Sequence, residues 1–426
     1  MTQTSAPISV GPAFESVPAW LSADAAAWAG ARPGWWARPL WSVLALLASV
    51  AAAIGLEPMA VCSEAAPCGP DWVGMVQFGL AVGMPYWFAR LPELALVAAP
   101  VLAVIVAWEE LPATGWASRS ANLAVIAALG LGWAAARARL AARRRQRDLV
   151  RQAGAAAVGH GWVKSTGAAP GRGRRGLVPI AVGALLCAVA VGAVVLGLRG
   201  VGEDERQAAR ATRTEAVVTG RTDMTLKVRT HDGRRLTVDA LFPEDYRLES
   251  TVVVLEDGPW RRLAAEPYDA FDRQLAALAA GLPGLSLLTT GLLARRRAAA
   301  LRRGEVPALR VLKRWDRKGR SWVYAADDTA GRRPLFSCVC LPVSTGAGEH
   351  GKAGGVDDLD DVDEADDVDT ADVCTVDGRV PFPAAGLREA VMVGAPYEGG
   401  ELAFVMTGGG AEASVVDCTV GPVRVP

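Results

Sequence analysis

Seven cysteines are the residues of this chain best suited to metal or redox chemistry, and four of them lie near the C-terminus. Cys338 and Cys340 stand two apart on an expected strand, where both thiols face one side. With Cys374 and Cys418 they make four thiols, the number that a tetrahedral zinc site requires. The paired C-x-x-C spacing of zinc knuckles is absent from the sequence, and free cysteine is a common buried residue. Metal binding by these four cysteines therefore stays open.

Three short motifs share features with nucleotide- or cation-binding signatures but lack the elements that such sites need. GRGRRG at 171–176 has the dinucleotide-binding spacing, yet an apolar helix follows it and no βαβ unit is present. In GWVKST at 161–166, valine replaces the glycine expected before the lysine of a phosphate loop. The acidic run at 357–373 lacks the glycine of a calcium-binding loop. The sequence therefore predicts no bound cofactor and no catalytic residues.

Six apolar segments approach the roughly 20 residues that a membrane-spanning helix needs. The mean hydropathy of the chain is positive and 51% of its residues are hydrophobic, which is typical of a membrane protein. The predicted transmembrane helices are 40–56, 72–88, 91–108, 121–136, 177–198 and 272–294. Pro85 and Pro100 interrupt the second and third segments, so a re-entrant or interfacial pair over 72–108 is an alternative. No cleavage pattern follows the first segment, and we expect it to be retained.

Arginines between these segments predict the orientation of the chain. Cytoplasmic loops of membrane proteins are enriched in Lys and Arg, and residues 137–175 carry eleven basic residues against one acid, Asp148. RRRAAALRR at 295–303 adds five more. If both basic runs are cytoplasmic and the six spans alternate in direction, both termini of this predicted inner-membrane protein are cytoplasmic. The residues expected to determine this topology are Arg137, Arg139, Arg143, Arg144, Arg145, Arg147, Arg151, Arg295, Arg296 and Arg297.

The arginine run has two other candidate roles beside this topology signal. Basic clusters attract the anionic lipids of the cytoplasmic leaflet, so the lipid bilayer is an expected partner. Nucleic-acid binding is not expected, because the chain has no net formal charge and aromatic residues do not interleave the run. In this orientation, residues 1–38 are a cytoplasmic tail and residues 137–176 are a basic cytoplasmic linker.

Cys62 and Cys68 are the two cysteines that this orientation places outside the cell membrane. That compartment is oxidising enough for disulfides to persist. Five residues separate the pair and include Pro67, so a tight turn can bring the α-carbons within the required 7 Å or so. The sequence therefore predicts a disulfide that holds the ends of 40–56 and 72–88 together.

Two soluble parts have the pattern of short strands. In 199–271, alternating apolar residues flank Asp232-Gly233, which indicates a hairpin. About five short strands there predict a small extracytoplasmic barrel or curled sheet. In 295–426, six strand patterns separated by Gly-rich turns predict a cytoplasmic β module. Its acidic insert, 346–373, repels itself and is predicted to be disordered.

The order of elements in 177–294 resembles that of a known group of proteins. A clear helix, a strand-rich module with the DGRRLTV hairpin and the VVVLEDGPWRRL strand, and a second helix make it similar to uncharacterised multi-pass membrane proteins of actinobacteria. The stretch VMVGAPYEGGELAFV near the C-terminus has the same strand–Gly–Gly–strand pattern. The resemblance implies this topology and the β modules, and it implies no activity and no catalytic residue.

These patterns together predict an α-helical multi-pass membrane protein, with six transmembrane helices and two small mainly-β soluble modules. We expect a non-enzymatic envelope scaffold, sensor or assembly factor with protein partners on the β modules. A transporter or transport accessory subunit is the alternative, and a polar site lined by several helices would favour it. Gln77 is the one strongly polar side chain deep in a predicted span. A membrane enzyme is less favoured, because the three histidines fall in three separate regions.

Small residues recur at intervals of four in the last two predicted spans and permit close helix packing, including packing between copies of the chain. In 177–198 the series is Ala184, Ala188 and Gly192, and in 272–294 the pairs are Ala277 with Gly281 and Ala280 with Gly284.

Overall fold

The described residues of the computed structural model divide into two compact units. The helix unit lies within Trp36–Arg137 and Val178–Gly291, and the barrel unit within Met1–Trp35, Ala138–Leu177 and Leu292–Pro426. The structure describes residues 17–56, 62–64, 67–113, 115–154, 176–303, 306–316, 320–344, 386–407, 414–419 and 423. The acidic insert predicted at 346–373 lies outside these residues.

Seven α-helices occur in the described part of the chain. They are α1 (Ser22–Gly30), α2 (Pro39–Leu56), α3 (Trp72–Arg90), α4 (Pro92–Ala113), α5 (Trp116–Gly154), α6 (Leu177–Arg210) and α7 (Phe271–Arg303). Five of these, α2, α4, α5, α6 and α7, are long and apolar enough to cross a membrane. α3 is outside that set, because its glycines, Gln77 and Pro85 lower its mean hydropathy.

The stretch 72–108 forms two separate helices, α3 and α4, that pack against each other. α3 has 19 residues and α4 has 22, and Pro85 and Pro100 lie inside them. At a rise of 1.5 Å per residue their lengths are about 28 and 33 Å, close to the roughly 30 Å of the bilayer hydrocarbon core. Each helix is therefore long enough to cross a bilayer.

Glycines bring α6 and α7 into close contact. A Cβ atom at Gly183 would lie 2.6 Å from the backbone nitrogen of Leu288 and 2.8 Å from the carbonyl oxygen of Gly284, so only glycine fits there. At Gly192 a Cβ atom would meet no atom within 4 Å. The contact thus uses Gly284 of the predicted series, whereas Gly192 lies away from it.

The soluble part of the helix unit is a curled antiparallel sheet. Its strands are β1 (Thr212–Arg221), β2 (Thr225–Thr230), β3 (Arg235–Asp239), β4 (Thr251–Asp257) and β5 (Trp260–Leu263), in the order β3-β2-β1-β4-β5. β3 and β5 lie near each other, so the sheet curls around a core that includes Val218, Leu226 and Val254. β2 and β3 pair across the predicted Asp232-Gly233 turn, where Gly233 has a φ of +84°. The hairpin and the curled sheet were both predicted.

The strands of the barrel unit close into a barrel. They are β6 (Ala308–Trp315), β7 (Arg320–Tyr324), β8 (Phe336–Ser344), β9 (Arg388–Val393), β10 (Ala403–Thr407) and β11 (Ser414–Thr419). Their order is β10-β11-β8-β7-β6-β9, with β9 paired to β10. Each strand coincides with one of the predicted patterns. Closure pairs both sides of every strand and so removes the exposed edges that favour aggregation.

Two segments outside the strands complete the core of the barrel unit. Trp20 pairs with β6 through its backbone N–H, which donates to the carbonyl oxygen of Arg310 at 2.9 Å. The side chains of Trp20 and Trp28 are fully buried beside Phe336, and Val150 of α5 belongs to the same core. The structure therefore builds part of the predicted tail (1–38) and of the predicted linker (137–176) into this unit.

Candidate functional site

The loop between α2 and α3 is closed by a disulfide and contacts the curled sheet at two points. The predicted disulfide is present: Cys62 and Cys68 are bonded, and their α-carbons are 5.3 Å apart. The backbone N–H of Cys68 donates to the carbonyl oxygen of Ala265 at 2.9 Å, and Arg213 forms an ion pair with Glu64. Ala265 follows β5 and Arg213 lies on β1. The loop and the curled sheet therefore lie at the same end of the helix unit.

A polar cavity of about 320 Å³ lies between α2, α3, α4 and α5. Its wall consists of the end of α2, the start of α3, the end of α4 and the start of α5. The polar lining residues are Asp71, Gln77, Glu110, Ser118 and Asn122, and the apolar ones include Val50, Phe78, Leu102 and Val106. This volume is at the lower end of the range of about 300–1,000 Å³ for small-molecule sites.

The side chains in this cavity are held in place to different degrees. Gln77 Nε2 donates a hydrogen bond to Glu110 Oε1 at 3.3 Å, and Ser118 Oγ donates to the carbonyl oxygen of Leu56 at 2.9 Å. Asn122 is only 8% exposed and lines the cavity. A nearly buried amide in the wall of a cavity can form hydrogen bonds with a polar molecule or water bound there.

The mouth of the cavity carries a carboxylate that caps α3. Asp71 Oδ1 accepts a hydrogen bond from the backbone N–H of Gly74 at 2.7 Å. A Cβ atom at Gly74 would overlap the Asp71 carboxylate, so a larger residue there would require this carboxylate to shift. With Glu110, the described lining contains two acids and no basic residue. The cavity therefore favours ligands that carry positive charge or donate hydrogen bonds.

The arginines predicted to determine topology divide into buried and exposed residues. Arg139 and Arg143 of α5 are 6% and 8% exposed. The side chains of Arg147 and Arg297 are half-buried, and the others are exposed: Arg137, Arg144, Arg145, Arg151, Arg295 and Arg296. Because Arg139, Arg143 and Arg147 are four residues apart, they share one side of the helix. We call these three residues the arginine face.

The arginine face holds the β9–β10 connection, residues 394–402. The guanidinium groups of Arg139 and Arg143 lie 3.5 and 3.8 Å from the carboxylate oxygens of Glu398. Arg147 stacks over the ring of Tyr397 at 5.2 Å from its centroid. From α7, Arg297 donates a hydrogen bond to the carbonyl oxygen of Gly399 at 2.7 Å. These arginines thus have a structural role in the barrel unit, whatever they contribute to orientation.

Cys338 and Cys340 are buried inside the barrel, with their sulfur atoms 3.5 Å apart. Cys374 and the side chain of Cys418 lie outside the described part of the chain, so the four-cysteine zinc hypothesis is not tested. Among described residues, no group of three or more His, Cys, Asp or Glu side chains is arranged to hold a metal ion. His231 is exposed in the β2–β3 turn, and the other two histidines lie outside the described residues.

The β2–β3 turn contains the most strongly perturbed carboxylate of the curled sheet. Asp232 accepts a hydrogen bond from the hydroxyl of Thr230 and a second from Arg234 Nε at 2.6 Å. These two hydrogen bonds lower the pKa of Asp232 to about 2. Arg234 also reaches Glu256 of β4 at 3.1 Å. The turn is thus tied to the neighbouring strand.

Sequence reasoning identified Gln77 but missed Glu110, Ser118 and Asn122. Glu110 lies just beyond the predicted span 91–108, and Asn122 is the second residue of the predicted span 121–136. Polar residues at the ends of spans are expected to face the membrane interface, so none of these residues alone predicts a cavity. Their convergence depends on the antiparallel order of four helices, which brings these particular ends together.

The fold defines a helical protein in which five helices are long and apolar enough to cross a membrane, accompanied by two small β sheets. These features are compatible with a multi-pass membrane protein. No protein-family model, no curated protein and no solved structure matches the chain. The resemblance to uncharacterised actinobacterial membrane proteins stays a prediction.

Proposed function

We propose that this protein is a cell-membrane sensor that binds a small, positively charged molecule from outside and has no catalytic activity. The observation that carries the proposal is the polar cavity between α2, α3, α4 and α5. It combines two carboxylates, Asp71 and Glu110, with the nearly buried amide of Asn122. Apolar residues form most of the rest of the wall, so a small amine with a compact apolar part matches the lining.

The proposed topology has six spans, α2 to α7, and both termini in the cytoplasm. The exposed arginines at the ends of α5 and α7 support this orientation through the positive-inside rule. The contact between Cys68 and Ala265 supports it independently, because it puts the disulfide loop and the curled sheet on one side. An oxidising outer compartment is where the Cys62–Cys68 disulfide persists. The polar cavity then opens toward the outside.

The depth of the cavity supports a binding site that is reached from the outer side alone. Its deepest lining residues on α3 and α5, Ala81 and Val125, are nine residues from the starts of those helices at Trp72 and Trp116. At 1.5 Å per residue this is about 14 Å, roughly half of a 30 Å hydrocarbon core. A ligand in this cavity is reached from one side. A transporter is the second candidate, because three helices, α3, α4 and α5, contribute polar residues to the wall.

α5 links the proposed ligand site to a second feature of the chain. Its first turns supply Ser118 and Asn122 to the cavity, and its last turns carry the arginine face. A helix is stiff over this length, so a change at its first turns that depends on the ligand has a physical route to the residues that hold the β9–β10 connection. In this proposal, the barrel unit transmits the signal by binding protein partners.

A thermal-shift measurement on the purified full chain tests the proposal. We expect tetramethylammonium, choline or a short diamine to raise the melting temperature, in a way that saturates with concentration. Glu110→Gln and Asn122→Leu should abolish the shift. Glu109→Gln is the matched control, because Glu109 is exposed, carries the same charge and does not line the cavity.

Two outcomes would contradict the sensor proposal. An equal shift in all variants would mean that the amines act elsewhere, and no shift with any amine would remove the proposed ligand class. Amine uptake into vesicles that contain the purified protein, blocked by Glu110→Gln, would establish the transporter instead.

A further inference from the structure

A second cavity of the helix unit has an apolar wall. It occupies about 300 Å³ between α3, α6 and α7. Its apolar lining includes Met75, Val76, Val191, Val194 and Leu278. Two lining residues, Trp72 and Gln274, carry polar groups. None of these residues contributes to the polar cavity described above.

Both polar groups of this apolar cavity lack a hydrogen-bond partner in the described part of the chain. The indole Nε1 of Trp72 and the amide Nε2 of Gln274 are buried and make no hydrogen bond there. Gln274 is only 5% exposed. An N–H group without an acceptor in apolar surroundings destabilises the structure, and in lipid there is no water to offset this cost. Two such donors around one cavity indicate that an acceptor enters from outside the chain.

The cavity lies near the ends of the helices that form it. Trp72 is the first residue of α3 and Gln274 is the fourth of α7, so both are within about 5 Å of a helix start. Val194 of α6 lies five residues before Arg199, the first charged residue after its apolar stretch. In the membrane orientation proposed above, on which this inference rests, this depth is the outer boundary between hydrocarbon and headgroups. Ester carbonyl groups of bilayer lipids lie at that boundary.

We propose that this cavity binds an ester-linked acyl chain of a bilayer lipid. The carbonyl oxygen accepts hydrogen bonds from Trp72 and Gln274, and the chain packs against the valines of α6 and Leu278 of α7. A neutral carbonyl matches the site better than a phosphate, because the described lining contains no basic residue. An acyl chain also matches the apolar wall, which a water-soluble ligand does not.

The test compares two lipids that differ only in the carbonyl. Dipalmitoyl phosphatidylglycerol and its dihexadecyl ether analogue share a headgroup and nearly the same chains, but the ether has no carbonyl acceptor. Titration of the purified full chain, followed by native mass spectrometry, gives an affinity for each. We expect the ester lipid to bind roughly tenfold more tightly, the effect of one or two neutral hydrogen bonds. Equal affinities of the unaltered protein for both lipids would overturn the proposal, since neither headgroup nor chain packing distinguishes them.

Substitutions of the two polar residues test whether the preference for the ester lipid arises in this cavity. Gln274→Leu and Trp72→Phe keep the approximate shape of each side chain and should abolish the preference for the ester. Trp116→Phe is the control, because Trp116 is 83% exposed and lies outside the cavity. A preference that persists in both cavity variants would assign the ester to another site. The outcome is separable from the sensor proposal, because the lipid titration contains no amine and Glu110→Gln should leave the lipid preference unchanged.

Discussion

Replacing Trp28 by alanine should destabilise the whole barrel unit, although the sequence assigns this residue to a tail. The Trp28 side chain is fully buried. Its ring centroid lies 5.6 Å from that of Trp20 and 6.1 Å from that of Phe336, and Nε1 donates to the carbonyl oxygen of Pro396 at 2.9 Å. The substitution therefore removes a large core side chain and one buried hydrogen bond.

The expected loss follows from these contacts. Truncation of a buried aromatic residue to alanine costs about 3–5 kcal/mol, and leaving the buried carbonyl of Pro396 without its donor adds about 1 kcal/mol or more. A total of about 4–6 kcal/mol is a large part of the 5–15 kcal/mol of a typical domain. Trp28→Phe keeps an aromatic ring in the core, but it removes the N–H group together with part of the indole ring system. It should therefore cost about 1–3 kcal/mol.

Hydrogen exchange of the full chain in detergent, read by mass spectrometry on peptides from β6 and β9, measures the effect. Since each 1.4 kcal/mol is a factor of ten, Trp28→Ala should speed exchange about 1,000- to 20,000-fold and Trp28→Phe about 10- to 100-fold. Trp35→Ala is the control, because Trp35 is 69% exposed and should change exchange about twofold or less. Exchange in Trp28→Ala within threefold of the unaltered protein would show that the N-terminal segment is not part of this core.

Three further predictions concern other parts of the fold. Gly183→Ala should lower the melting temperature because its Cβ meets the backbone of α7, whereas Gly192→Ala should leave it unchanged or raise it; equal shifts would refute the helix contact. The lowered pKa of Asp232, about 2, stabilises the curled sheet above about pH 4 and ceases to do so as pH falls toward 2. Asp232→Asn should therefore flatten acid unfolding in that window, and an unchanged curve would contradict the assignment. Glu398→Arg should expose the β9–β10 connection to protease, while Glu398→Gln should do so less; equal cleavage of both would exclude the ion pairs as the cause.

Elements with a regular pattern were predictable from the sequence, and elements defined by their partners were not. Short strand-like runs separated by Gly-rich turns predicted all six barrel strands. The apolar stretch predicted as the span 121–136 ends at residue 136, but the helix that contains it does not. The helix itself continues to Gly154, because alanine and arginine are good helix formers and Glu398 compensates two of the arginines.

The candidate sites likewise include one feature that the sequence predicts and others that depend on partners in space. The Cys62–Cys68 disulfide was predictable because orientation and spacing are both properties of the sequence. The polar cavity was not, since Glu110 and Asn122 come from helices whose order in space the sequence does not state. Trp28 was missed for a similar reason: α1 has nine residues and too few apolar positions to reveal which face is buried.

The discontinuous make-up of the barrel unit has a consequence for biosynthesis. Trp28 bonds to Pro396, which is 368 residues later, and Ser22 bonds to Asp327, 305 residues later. At about 5–20 residues per second, a ribosome needs roughly 20–70 s to make the intervening chain. During that time the tryptophans of the N-terminal segment have no barrel to enter. The barrel core therefore forms late in synthesis, and a chain that ends before β10 and β11 cannot complete the core around those tryptophans.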